Sequence, residues 1–244
     1  MDLSGNTVLI TGGGSGIGFA LASRFISSCS IVIICGRDTK KLNEVKSKYP
    51  GITVIQCDIS NEEQRKELFD KTIKNFPELN IVINNAGIQQ RIKLAESTEW
   101  NIIKNEIEIN LLAQIHISTL FIPHSLTAKN PAIINITSGL AFSPLAIVPV
   151  YCSTKAALHS FTLSLRHQLL GTPIRVIEIA PPAVQTDLGG KGLHDFGTPL
   201  DEFSDAVTAE LEKDKLEITY GYSAKSSRAS REELDEIFKQ MNNR

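Results

Sequence analysis

The chain lacks the features that mark several protein classes. Its four cysteines, Cys29, Cys35, Cys57 and Cys152, are scattered and form no C-x-x-C pair. That placement argues against a zinc site and against a disulfide framework, and it suits a reducing cytosol. Net charge is almost absent, at -2, so there is no basic excess to favour a nucleic-acid partner. Long apolar runs are missing too: residues 7–10 meet glycines at once, and residues 145–150 are interrupted by Pro149, so neither run can span a bilayer. The first residues, Met1-Asp2-Leu3-Ser4, show no basic and then apolar secretory pattern. The expectation is a cytoplasmic protein with no nucleic-acid partner and no membrane partner.

The 244 residues, 42% apolar and 21% charged, are enough for one well-buried core. Short β-branched runs at residues 7–10, 31–35, 53–57, 81–84, 132–137, 174–179 and 216–220 predict strands covered on both faces. Between them, residues 17–28, 39–48, 62–75, 99–127, 152–170 and 201–213 have helical character, with Asn61 as an N-cap. This alternation predicts an α/β fold built on an open parallel sheet. Gly189, Gly190, Gly192 and Gly197 make residues 189–200 a mobile loop inside the domain. Residues 223–231 are predicted to be an exposed tail, and 232–241 a short closing helix.

Residues 11–18, Thr11-Gly12-Gly13-Gly14-Ser15-Gly16-Ile17-Gly18, leave the first strand and open the first helix. Glycines let a backbone approach phosphate closely, and the free N–H groups of a helix start favour an anion. The same run also fits a plain glycine turn with no ligand. Its spacing is G-x-x-x-G-x-G rather than G-x-G-x-x-G.

T-G-x-x-x-G-I-G resembles the short-chain dehydrogenase/reductase family. Asn84-Asn85-Ala86-Gly87 is similar to that family's N-N-A-G, and Tyr151-Cys152-Ser153-Thr154-Lys155 to its Y-x-x-x-K. Ser138 follows the fifth strand, Asn110 falls at the family's helix asparagine, and Pro181-Pro182-Ala183-Val184-Gln185-Thr186 stands in for P-G-x-V-x-T. The motifs keep the family's order over residues 5–190. The stretches IVINNAGIQQ, SLRHQLL and VIEIAPPAVQTDL are most similar to DltE-type bacterial oxidoreductases.

The resemblance implies a Rossmann-like, doubly wound parallel sheet of about seven strands with helices on both faces, in a single domain. Residues 1–130 would be mainly the cofactor half, 131–222 the catalytic and substrate half, and 223–244 a tail helix. It implies a nicotinamide cofactor held by Gly12, Ser15, Gly16, Ile17 and Gly18, by Asp58 and Ile59, and by Asn85, Ala86 and Gly87. Tyr151, Lys155 and Thr186 complete the set, and Asn84 and Ala86 are expected beneath the adenosine ribose. The family's D-G-G after the last strand is replaced by Tyr220-Gly221-Tyr222-Ser223, which puts a C-terminal oligomer contact in doubt.

NAD-binding sheets usually end their second strand with an acid that holds the ribose hydroxyls. Gly36 stands at that point here, followed by Arg37, whose guanidinium suits a 2′-phosphate. NADP(H) is therefore favoured over NAD(H). Against this, the glycine loop has no basic residue, Asp38 stands beside Arg37, and Arg37 also fits a solvated charge at a helix start. Asp58 fits an adenine contact or a helix cap.

Tyr151 and Lys155 are four apart and share a helix face. An ammonium there would stabilise tyrosinate and lower the phenol's pKa. Ser138, at a strand's carboxyl end, can bond a substrate oxygen beside Tyr151, and Asn110 would hold a water leading to Lys155. Each residue alone has a plainer role, in core, surface or turn; the catalytic reading rests on the set. His116, His159 and His167 are expected to be packed or surface residues.

Residues 88–94, 139–150 and 183–200 should wall a medium-sized carbonyl or alcohol substrate with an apolar part. The alternative function is an NADP(H)-binding redox sensor or scaffold with little turnover. The two long helices carry Ile107, Leu111, Ile115, Phe161 and Leu165 beyond one core stripe, which predicts a homo-oligomer, dimer or tetramer.

Overall fold

The computed structural model describes residues 1–243. The strands are β1 (Thr7–Thr11), β2 (Ile31–Gly36), β3 (Thr53–Gln56), β4 (Ile81–Asn84), β5 (Ala132–Ile136), β6 (Arg175–Ala180) and β7 (Glu217–Thr219). They pair in parallel in the order β3-β2-β1-β4-β5-β6-β7. The helices are α1 (Gly16–Ser27), α2 (Thr39–Lys48), α3 (Glu62–Asn75), α4 (Trp100–Ile107), α5 (Ala113–Ser125), α6 (Pro149–Gln168), α7 (Leu200–Glu212), α8 (Tyr222–Ser226) and α9 (Arg231–Asn242). This is the expected single-domain, doubly wound α/β fold.

β1, β4 and β5 are buried along their whole length. Their side chains alternate between the two faces of the sheet, because strand residues point to opposite faces in turn. Val8 and Ile10 pack with Leu21 and Phe25 of α1 and Phe203 and Val207 of α7. Leu9, between them, packs on the other face with Leu68 of α3 and Ile117 and Phe121 of α5.

Local signals set several helix limits. Asp38 caps α2 by accepting from the Lys40 and Lys41 amides, Asn61 caps α3 by accepting from the Gln64 amide, and Ser230 and Glu233 form a capping box on α9. α6 starts at Pro149 rather than at Cys152. A proline at the first helical position lacks only an N–H that has no intrahelical partner there. Tyr151 therefore lies in the first turn of α6.

The long helix expected at 99–127 is broken by a π-helical turn, Glu108–Leu112, which links α4 to α5 and carries Asn110. Widened turns of this kind shift the register of everything beyond them. The tail differs from expectation as well. Ser223 and Ser226 are buried, and the Ser223 hydroxyl donates to the Ala180 carbonyl at 2.6 Å. Ser223 packs so tightly under the Ser138 turn that a Cβ on Gly139 would lie 2.8 Å from its own Cβ. Leu165 is also corrected: it belongs to a small core with Ile133, Ile174 and Val176 and is not available to a partner. The exposed large apolar residues along 99–127 and 152–170 are Trp100, Ile102, Leu112, Leu126, Leu163 and Leu170.

Among the described residues, no helix is long and apolar enough to cross a membrane.

Candidate active site

The strand order reverses between β1 and β4, and the loops leaving the carboxyl ends of the strands part there into a crevice. The cavity holds about 1380 Å³. That exceeds the roughly 300–1,000 Å³ typical of a single small-ligand pocket, so a dinucleotide and a second molecule both have room.

One wall is the glycine loop. Gly12 and Gly16 have φ of 66° and 54°, the left-handed region where a side chain is strained. A Cβ on Gly12 would lie 2.8 Å from the Ala86 Cα. Gly12, Ser15, Gly16 and Ile17 face the cavity. Ser15 is the N-cap of α1, and its side chain caps nothing, so the first amides of the helix are not spent on it. A phosphate fits such a cradle. Gly18, expected on this wall, is not on it. Its Cα packs beneath Asn85, where a Cβ would lie 2.4 Å from Nδ2 and 2.5 Å from the Gly12 carbonyl oxygen.

The N-N-A-G segment is stitched to that loop. Asn85 Nδ2 donates to the Thr11 carbonyl at 2.9 Å, and the Asn85 and Ala86 amides both donate to the Thr11 hydroxyl at 3.0 Å. Asn85, Ala86 and Gly87 line the cavity. Asn84 does not. It is fully buried and donates to Ser118 and Asn135, so it joins β4 to its neighbours instead of lying under a ribose.

At the far end, Arg37, Asp58 and Ile59 line the cavity. Asp38 is occupied in capping α2, which leaves the Arg37 guanidinium without an ion pair among the described residues. Lys41 stands on the same wall, a second cation with no motif in the sequence to mark it. Asp58 accepts from the Ser60 amide and hydroxyl through one oxygen, and Asn61 rather than Asp58 caps the helix.

The catalytic candidates meet over β5. Tyr151 and Lys155 are both buried, with the Lys155 Nζ 5.7 Å from the centre of the phenol ring. Nζ donates to the Ile136 carbonyl at 2.7 Å. Burial pushes the Lys155 ammonium down to about 8. Burial pushes the Tyr151 phenol well above its ordinary value, and the Ser138 hydroxyl beside it pulls weakly the other way. The direction is opposite to the expected one: loss of water around the phenol is the largest cause, and the negative charges of Cys152 and Glu106 add to it. Ser138 caps the short turn Gly139–Ala141 by accepting from the Leu140 amide at 3.1 Å. Behind it, the Thr137 hydroxyl donates to the buried Glu178 at 2.6 Å, and the same carboxylate bonds His159 at 2.9 Å. That bond raises the His159 pKa.

Asn110, in the π-helical turn, is bonded to the loop that follows β4. Its side-chain oxygen accepts from the Ile88 amide and its nitrogen donates to the Ile88 carbonyl, both at 2.8 Å. The side chain thus clamps the start of the substrate wall. Thr186 faces the cavity, its methyl 3.4 Å from where a Gly16 Cβ would be.

The C-terminal segment reaches the substrate end: Tyr222, Lys225, Ile237, Gln240 and Met241 line it. Asn242 ties α9 down by donating to the Pro144 carbonyl and accepting from the Ala146 amide. The sequence predicts only a short closing helix at 232–241 and gives no sign of this docking. Among the described residues, no group of three or more acidic, histidine or cysteine side chains is placed to hold a metal ion.

The family pattern of short chain dehydrogenase matches residues 6–195, which include the glycine loop, the N-N-A-G segment and the Tyr151–Lys155 pair. This chain belongs to the short-chain dehydrogenase family. Within the family it is most like the DltE type: it is 45% identical to the uncharacterized oxidoreductase DltE of Bacillus subtilis over 99% of this chain and 98% of that protein. A short-chain dehydrogenase from Sphingobium yanoikuyae, solved in complex with NADPH, superimposes with a TM-score of 0.79 at 25% identity, covering 88% of this chain and 87% of that one. The 3-ketoacyl-(acyl-carrier-protein) reductase of Brucella melitensis, solved with NADH, gives a TM-score of 0.82 at 25% identity, covering 91% and 99%. The short-chain dehydrogenase described here is an NAD(P)-dependent oxidoreductase.

Proposed function

We propose that this short-chain dehydrogenase reduces a carbonyl compound with NADPH, with Tyr151 as the proton donor. The observation that carries this reading is the burial of Tyr151, Lys155 and Ser138 together in the cavity that the glycine loop also walls. Gly12, Ser15, Gly16 and Ile17 would hold the cofactor's pyrophosphate, Arg37 and Lys41 its 2′-phosphate, Lys155 its nicotinamide ribose and Thr186 its amide. When bound, the nicotinamide supplies the hydride.

The remaining chemistry belongs to the side chains. The raised phenol is protonated at neutral pH but gives up its proton less readily than a free tyrosine, so the transfer relies on the negative charge developing on the carbonyl oxygen, an alkoxide being a stronger base than a phenolate. Ser138 bonds the same oxygen and fixes it beside Tyr151. Lys155, charged below about pH 8, sits close enough to stabilise the tyrosinate left behind. Residues 189–200 contain Gly189, Gly190 and Gly192, all with positive φ, and would act as the loop that closes over substrate. A panel of aldehydes and ketones with NADPH, followed by absorbance, tests the proposal. NADPH binding without turnover of any member would favour the sensor or scaffold reading.

Cofactor preference should follow Arg37. One charge-assisted bond to the 2′-phosphate is worth roughly 1.5–3 kcal/mol, so NADPH should bind about ten- to a hundred-fold tighter than NADH. Arg37→Ala should remove most of that preference by weakening NADPH alone, and adding Gly36→Asp should invert it. Titration with both cofactors decides: equal dissociation constants in the unaltered protein would remove Arg37 from the site.

Assembly should be a homodimer or tetramer, through the faces of α4, α5 and α6 that expose Trp100, Ile102, Leu112 and Leu163. Light scattering at micromolar concentration should report at least twice the 26.8 kDa chain mass. A monomer there would refute this.

A further inference from the structure

The substrate-facing wall at residues 88–92 is held by three ties. Asn110 clamps Ile88. The Ile92 amide donates to the Ile147 carbonyl at 3.1 Å. Between them, the Gln90 amide donates to Oε1 of Glu106 at 2.9 Å. Glu106 lies one helical turn before Asn110, so the two side chains grip the wall from one face. Of the three ties, only the one at Glu106 ends on a group that can lose a proton.

Glu106 is fully buried, and its second oxygen, Oε2, has no hydrogen-bond partner. Among the described residues it forms no ion pair. Lys104 on its own helix is exposed, and Glu108 is paired with Arg65 at 2.9 Å. From α6 it faces Tyr151 and Cys152, both of whose ionisation its charge opposes. From the wall it meets the Gln90 amide, with Arg91 one residue further on and exposed. Nothing here compensates a buried carboxylate beyond one amide, and an unpaired buried charge is expensive. Moving the wall outward would admit water to Oε2.

We propose that Glu106 is a positioning residue that keeps the Gln89–Arg91 wall closed over the substrate end of the cavity while it is protonated, and releases that wall when it ionises. The loss of water around the carboxyl raises its pKa to about 7, and the Gln90 amide pulls only partly the other way. The closed form then holds a proton that an open, hydrated form releases near the ordinary value of 4.5. Between those values the open population grows with pH, by up to about tenfold per pH unit. The effect on substrate rests on the reductase reading; the movement of the wall does not.

Two measurements separate these. Trypsin cleavage after Arg91, in NADPH-saturated protein, reads the wall directly. In the unaltered protein it should accelerate between pH 5 and 7 relative to Glu106→Gln, which keeps the acceptor for Gln90 and cannot ionise. Glu106→Leu, lacking the acceptor, should be cleaved fast at every pH; if it does not fold, the Gln comparison stands alone. Thermal unfolding gives the second reading. The folded carboxyl titrates above the unfolded one, so the unaltered protein loses stability as pH rises from about 4.5 through about 7, and Glu106→Gln should not. For any carbonyl compound the protein reduces, KM should rise over the same window while kcat changes little, and Glu106→Gln should flatten that rise. If the Gln variant and the unaltered protein give parallel cleavage and stability profiles, Glu106 is only a packing residue. Absence of all turnover, with the cleavage difference intact, would remove the reductase reading and leave the role of Glu106 standing.

Discussion

Tyr151→Phe should lower carbonyl reduction roughly 10²–10⁴-fold, the usual worth of a positioned proton donor, while NADPH binds as it does to the unaltered protein. The substitution removes one oxygen and one proton and leaves the ring. Tyr151 is buried against Val148 and Cys152, so the phenylalanine keeps its packing and the fold is undisturbed. Ser138 stays in place, because its hydroxyl oxygen also accepts from the Leu140 amide. What disappears is the acid at the forming alkoxide. Steady-state rates with the best substrate of the panel, together with an NADPH titration, check both halves. Near-normal turnover in this variant would overturn the mechanism.

Lys155→Met should lower turnover by at least ~10²-fold, the lower bound for a proton-transfer partner, and should also weaken NADPH by roughly tenfold, the worth of one charge-assisted bond. It should nevertheless make the protein more stable at neutral pH. Lys155 is buried and its ammonium titrates near 8 rather than at the ordinary 10.5. A folded pKa below the unfolded one means that the charged form costs stability below about pH 8, and that this cost is relieved as pH rises from about 8 towards 10.5. Methionine, close in length and uncharged, carries no such cost, so its advantage in thermal midpoint should be largest at pH 6–7 and vanish above about 10. A residue that served only packing would give no such opposition of activity and stability. The same titration sets a limit on the unaltered enzyme, whose reduction rate should fall above about pH 8 as the ammonium is lost. A rate that stays level to pH 10 would separate Lys155 from the proton transfer.

The parts of this protein that were legible in its sequence are those governed by near neighbours along the chain. α3 starts where Asn61 predicts, since a cap acts on amides two or three residues away, and Asp38 sets the start of α2 in the same way. The glycine loop announces itself because Gly12 and Gly16 need backbone angles that other residues resist. Tyr151 and Lys155 were readable as a pair because four residues make about one helical turn.

What the chain's tertiary structure alone decided depends on which surfaces meet. In sequence Glu106 is one acid among Lys104, Asn105 and Glu108, and nothing local separates it from a solvated charge. Burial against Tyr151 and the Gln90 amide comes from the packing of α4 on α6 and from a wall more than ten residues away. The same holds for Asn110, whose amide is spent on Ile88, and for Ser223, which closes under Ser138 in place of an exposed tail. The direction of the Tyr151 shift belongs here too. Spacing showed that an ammonium would stand near the phenol. How much water remains around it is a property of the assembled cavity, and desolvation is the largest cause of the shift. Sequence therefore specified the fold class, the family and the candidate reacting groups, whose signals are short-range. Exclusion of water, and with it the pKa values and the group that holds the substrate wall, was set only when distant segments packed together.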